Sequence, residues 1–226
     1  MTTPKFIRST FAAVAALLAI ASQAVAPPAV ADGYSGPYIG AALVYGWAKT
    51  DGRVDRLSSG FVLPFSDKAE GVALAGFAGY DWTIAPKVVF GVVGDIGVTK
   101  VGSRSGVSTI GDLRGRLGYL VTPETLVYGT GGVAFLRQNL SGRLGGFEYS
   151  VSETNAGSVW GGGIESRRML AEHPVRFGLE LLRYDFNPLS FEVPDRRVTL
   201  DSSAWTLGAR LSFELDRGRT YTQPMK

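Results

Sequence analysis

The chain has no cysteine among its 226 residues and a single histidine, His173. The first absence excludes a disulfide scaffold and any thiolate metal site. The second leaves no histidine pair for a metal. It also leaves the serine–histidine chemistry of a membrane acyl hydrolase resting on one side chain beside Pro174, in a short turn far from where a lipid substrate would lie. A long apolar run is missing as well. After residue 31 no stretch approaches the ~18 apolar residues of a membrane helix. Charge of one sign is also scarce: 23 Lys and Arg stand against 20 Asp and Glu, a net of +3. Lys5 and Arg8 supply two of those positive charges, so the chain beyond residue 31 carries only +1. Such a balance gives no basis for binding nucleic acid.

The first residues read as a secretion signal. Lys5 and Arg8 form the basic region, residues 11–20 the apolar core, and two small-x-small sites follow, Ala24-Val25-Ala26 and Ala29-Val30-Ala31. Cleavage after Ala26 would leave Pro27 next to the cut, so the expected cut follows Ala31. Removing 31 residues from 226 leaves 195, enough for one domain with a sizeable core. The expected organisation is a signal peptide over 1–31, a barrel over 32–215 and a periplasmic tail over 216–226.

Glycine is abundant. All 30 glycines lie after residue 31, well above the usual share of about 7%. They suit curved sheets with crowded interiors. The clearest pattern is in 203–215, where Trp205, Leu207, Ala209, Leu211 and Phe213 alternate with Thr206, Gly208, Arg210, Ser212 and Glu214. A period of two marks a strand with one apolar face. Similar segments occur at 38–47, 72–82, 88–98, 110–121, 126–136, 158–166 and 175–186, making eight strands. The facing of 126–136 is ambiguous, because glycine and apolar residues occupy both parities. Each segment has roughly the 9–11 residues a tilted membrane strand needs.

Long and short connections alternate, as in an up-and-down barrel with one plain end and one elaborated end. Short turns carry Ala85-Pro86-Lys87 and Thr122-Pro123-Glu124, where proline costs no ladder donor. The long connections 48–67, 138–153 and 187–202 are rich in charge and are expected to be exposed loops facing any external ligand. Trp47, Tyr80, Trp82, Tyr119, Trp205 and Phe213, together with Tyr128, cluster near strand ends, as lipid-facing and girdle aromatics would.

The inward parity carries a mixed set of charges: Asp95, Arg114, Arg116, Glu165, Arg176, Glu180 and Arg210. An unpaired ion in a narrow interior costs several kcal/mol. The turns bring Glu165 towards Arg176 and Asp95 towards Arg114, and they permit Glu180 beside Arg210. An eight-stranded barrel is just wide enough for its own side chains, so a charge-paired plug is expected, with a small gated channel as the alternative. No cofactor, metal or catalytic residue is expected. Gly129-Thr130-Gly131-Gly132 lacks the Lys-Ser/Thr of a phosphate loop.

Several stretches resemble the small outer-membrane β-barrel proteins of alphaproteobacteria, relatives of the eight-stranded OmpA-like membrane domain. They are Gly36-Pro37-Tyr38-Ile39-Gly40, Phe77-Ala78-Gly79-Tyr80-Asp81-Trp82, Gly91-Val92-Val93-Gly94-Asp95-Ile96, Leu113-Arg114-Gly115-Arg116-Leu117-Gly118-Tyr119 and Gly161-Gly162-Gly163-Ile164-Glu165. The resemblance spans nearly all of the chain after the signal, in the family's order. It implies an all-β transmembrane barrel in the bacterial outer membrane, with lipid and the barrel-assembly machinery as partners and a monomeric state. It also implies a non-enzymatic envelope role, with capture of a surface ligand such as haem or a host molecule as the alternative. Two departures stand out. Val93 occupies a position often acidic in the family. The terminal aromatic is replaced by a tail after Leu215, so Phe213 would serve as the assembly signal from inside the chain. A soluble lipocalin-like carrier would need the opposite polarity, apolar within and polar without.

Overall fold

The computed structural model describes residues 34–56, 62–99, 108–144, 147–170, 173–193 and 196–215. The expected signal segment and the tail therefore lie outside the described residues. The strands are β1 (Gly36–Arg56), β2 (Val62–Ala85), β3 (Val88–Thr99), β4 (Ser108–Thr122), β5 (Thr125–Leu144), β6 (Phe147–Leu170), β7 (His173–Phe186), β8 (Leu189–Val193) and β9 (Arg196–Glu214). Eight of them, β1 to β7 and β9, form a closed antiparallel ring, because β9 pairs with both β7 and β1. The short β8 pairs with the start of β9 and continues the line of β7 after a break at Asn187 and Pro188. Proline has no N–H for the ladder, which accounts for the break.

The register fixes the tilt. Tyr38 pairs with Gly79, and the pairing passes through Val93, Arg114, Gly132, Val159, Tyr184 and Ala204. It returns to β1 at Ala48, ten positions from where it began. Closure with a stagger of this size tilts strands by roughly 35–45°. Every ladder donor and acceptor within the ring then has a partner strand, which is what a water-free surrounding demands.

Side-chain parity follows the sequence pattern. Ile39, Leu43, Leu74, Ile96, Leu117, Phe177, Leu179 and Leu207 are exposed on the outer surface. Tyr38, Phe77, Arg114, Glu165, Arg176 and Glu180 are buried within. The ambiguous strand is now resolved: Val127, Val133 and Phe135 face out while Leu126, Tyr128, Thr130 and Ala134 face in. Tyr128 is therefore not a girdle residue. The absence of a side chain at Gly163 makes room for its ring, since a Cβ there would sit 2.7 Å from the Tyr128 hydroxyl.

The long connections also need correcting. Most of 48–67, 138–153 and 187–202 is strand: β2 and β6 each run for 24 residues, more than twice the 9–11 that span a bilayer. The period of two continues past Trp47, but the outward side chains become Lys49, Asp51, Arg53 and Asp55. Lys49 and Asp51 pair at 2.7 Å, and Arg53 and Asp55 at 3.7 Å. The outer surface has left the apolar zone while the ladder goes on. Paired hairpins therefore rise from one end where loops were expected.

Candidate functional site

The plain end of the barrel is closed from inside. Gly36, at a φ of 133° that favours glycine, turns the chain so that Tyr34 tucks under the lumen. The Tyr34 hydroxyl donates to the carbonyls of Glu124 (2.8 Å) and Glu165 (3.3 Å). Burial pushes this phenol well above the ordinary tyrosine range, so it stays a donor. Tyr34 packs with Val89, Leu120, Leu126 and Tyr128.

Above this layer sits the first ion cluster. Asp81 is fully buried and accepts from Arg116 (Nε 2.8 Å, and Nη2) and from Arg176 Nη1 at 2.5 Å. Gly91 makes this possible, since any Cβ there would collide with the Asp81 carboxylate. Glu165 lies 3.4 Å from both arginines. Arg176 Nε donates to Glu214 at 2.7 Å, and Arg167 donates to both Glu214 oxygens at 2.9 Å. Three carboxylates thus face three guanidiniums. The Arg116 plane also lies 4.9 Å from the Tyr38 ring and 5.1 Å from the Tyr128 ring, a favourable cation–π placement.

The second cluster lies nearer the hairpins. Arg114 bonds Asp112 (Nε 2.6 Å) and Asp95, with Glu180 at 3.0 Å. Arg210 grips Asp95 with two 3.0 Å bonds and reaches Glu180 at 2.6 Å. Tyr128 donates to Glu180 and Tyr184 to Asp112, both at 2.9 Å. Val93, with Tyr38, Ala42 and Phe77, forms an apolar layer beside the clusters. At this position of the departure noted above, the valine packs against aromatic rings and takes no part in ion pairing.

All seven charged residues singled out in the sequence lie within these two clusters; Glu165 meets Arg176 and Asp95 meets Arg114, as the turns imply, and Glu180 meets Arg210, which the loop lengths permit without forcing. Asp81, Asp112, Glu214, Arg167, Tyr34 and Tyr128 were missed as members. For Asp81 a signal existed: it has the opposite parity to Tyr80 and Trp82. His173 is exposed at the start of β7, in the plain-end hairpin.

The outer aromatics form two bands. At the plain end Tyr80 and Trp82 lie 4.6 Å apart, Trp82 stacks on Phe90 at 5.9 Å, and Lys87 lies 6.0 Å over Tyr119. At the hairpin end Trp47 pairs in register with Trp205, which meets Trp160 edge-on at 5.8 Å. Arg183 lies 5.5 Å over Trp205. Phe213 is outward and half-exposed at the plain end.

The lumen is not filled throughout. Above the second cluster a chamber of about 610 Å³ extends up to Thr50, Asp67 and Ser202. The expectation of side chains packing the whole interior holds for the plain-end half and fails above it. The reason is size: Ala73 and Ala75 of β2 and Ala204 and Gly208 of β9 face the chamber with almost no side chain.

No curated protein sequence matches the chain. The crystal structure of the outer membrane protein OprG from Pseudomonas aeruginosa is 15% identical over 81% of this chain and 98% of its own, with a TM-score of 0.47. The outer membrane protease OmpT from Escherichia coli is 10% identical over 86% of this chain and 100% of its own, with a TM-score of 0.44. Ail of Yersinia pestis, the attachment invasion locus protein, is 15% identical over 77% of this chain and 99% of its own, with a TM-score of 0.34. The family of the outer membrane protein beta-barrel domain matches residues 12–213; with a closed ring of eight antiparallel strands, a charged lumen and an apolar outer belt, the chain belongs to that family of bacterial outer-membrane barrels.

Proposed function

We propose that this protein is a non-enzymatic element of the outer membrane, one that stiffens the envelope and presents its long hairpins to the exterior. The observation that carries this reading is the interlocked ion network, buried at the plain-end half of the lumen and spanning six strands of the ring. It supports a rigid, plugged wall in place of a wide pore. In this reading the signal is cut after Ala31, the plain end and the tail 216–226 face the periplasm, and the barrel works as a monomer. The hairpins covering 48–67, 138–153 and 187–202 face outward, where an external ligand would meet them. Phe213 is read by the assembly machinery from its place near the end of β9.

The test has two arms. Membrane fractions and unboiled against boiled samples on detergent gels should place the protein in the outer membrane and show the mobility shift of a closed barrel. Deletion cells should gain sensitivity to bile salts and EDTA, restored by the intact gene. Wild-type detergent resistance in the deletion strain would refute the structural role.

A further inference from the structure

The chamber in the hairpin-end half of the lumen has a chemistry distinct from the plug beneath it. Its floor holds Asp95, Asp112 and Glu180 against Arg114 and Arg210, so three carboxylates share two guanidiniums. At the rim Asp67 and Glu70 stand against Lys68, again one acid more than the bases. The lower cluster, by contrast, balances three acids with three bases. The walls above the floor are apolar. On one side Leu182, Tyr184 and Phe186 form a packed cluster with Ile110 and Leu136. On the other, Ala73 and Ala75 leave the space open, and the small Ala204 borders the cluster beside Tyr184. Above the rim, Leu63 and Phe65 continue the inward parity of β2 and are half-exposed, with Phe65 seated against Gly52 of β1.

We propose that this chamber binds a small amphiphilic organic cation, an apolar or aromatic body carrying one ammonium group. The body fills the space between the β7 wall and the small-residue wall of β2 and β9. The ammonium sits at the floor beside Asp112 and Glu180 and supplies the missing positive charge. A volume of about 610 Å³ lies within the ~300–1,000 Å³ of small-molecule sites. The low dielectric of the enclosed floor strengthens the attraction for a cation over what water would allow. An anionic ligand of the same shape would meet an acidic floor and rim, and a neutral one would leave the charge excess as it is.

The experiment uses the full barrel in lipid nanodiscs and titrates three probes of matched shape: 4-phenylbutylammonium, 4-phenylbutanol and 4-phenylbutyrate. Empty nanodiscs give the lipid background. The ammonium should bind saturably and at least about tenfold more tightly than either analogue, a difference of roughly 1.4 kcal/mol. Ala73→Phe and Ala204→Phe, which fill the chamber from two different strands, β2 and β9, should each abolish the saturable component. Asp112→Asn should weaken the ammonium about fivefold or more while leaving the alcohol unchanged. Folding of each variant is checked by its heat-dependent gel mobility, and the three-probe series on the native chain is decisive even if a variant fails to assemble. Equal binding of alcohol and ammonium overturns the proposal, and so does preference for the carboxylate. Undiminished binding in both filled variants overturns it too, because uptake would then be into lipid.

Discussion

Asp81 shows how much rests on single interior residues. Two arginines share its carboxylate, and neither the acid nor Arg176 has exposed side-chain surface. Removing one partner of such a pair strands buried charge and costs about 3–5 kcal/mol. Asp81→Ala should therefore lower the unfolding free energy in lipid by about that amount, measured by urea titration of tryptophan fluorescence. Asp51→Ala, whose exposed carboxylate meets Lys49 and Ser66 at the surface, should leave the midpoint in place. Asp81 was hidden in the sequence because its neighbours Tyr80 and Trp82 draw attention to the other face. The charges of β4, β6, β7 and β9 were legible because each alternates with large apolar residues over several turns of the pleat. Tyr34 was not legible, since its burial depends on a bend at Gly36 that no periodicity announces. A substitution at a tight glycine tests the packing directly. Gly163→Val would push a side chain against Tyr128 and the carbonyl of Leu179, both 2.7 Å from its Cβ. Overpacking of this kind costs about 1–3 kcal/mol, to be read as a lower urea midpoint and a disturbed tyrosine signal.

At the scale of the strand, polarity outside and polarity inside carry different information. The parity of β1 to β4, β6, β7 and β9 could be read because a lipid-facing side must be apolar while a lumenal side need not be. On β5 that contrast fails. Gly129 and Gly131 lie outward and Gly132 lies against the backbone of Leu113 and Arg114, so small residues occupy both parities. The hairpin extensions escaped for a related reason: beyond Trp47 water replaces lipid, and the outer parity becomes charged while the pairing persists. The boundary predicts where a new charge will hurt. Leu43 lies midway between Ile39 and Trp47 on the outer surface, and Leu43→Arg should destabilise the barrel by about 2–4 kcal/mol. Asp201→Arg lies on the same outer parity of β9, four positions beyond Trp205, and should change stability by less than about 1 kcal/mol. Equal costs at the two positions, measured by folding into vesicles, would place the apolar boundary elsewhere.

At the scale of the whole molecule, the ring joins strands far apart in sequence, and the interior ions join them a second time. Arg176 on β7 meets Asp81 on β2, and Arg210 on β9 meets Asp95 on β3. Each of these contacts crosses the lumen, so the network braces the cylinder across its diameter as the ladder braces it around its circumference. The sequence made the existence of such braces legible but not their partners, because the partners depend on the ten-residue stagger of closure. The chamber above them was illegible for the same reason: the alanines of β2 and the alanine and glycine of β9, far apart in sequence, meet only when the ring closes. The braces are shielded from solvent, and this sets their response to salt. Raising salt from about 0.1 M to about 1 M shrinks the screening length from roughly 10 Å to 3 Å, which weakens exposed pairs and leaves buried ones nearly untouched. The unfolding free energy should therefore fall by less than about 1 kcal/mol across that range, even though eleven charged side chains meet in the lumen. A loss of several kcal/mol would mean that water and ions reach the clusters, and the plain-end half of the barrel would then be a conducting path instead of a brace.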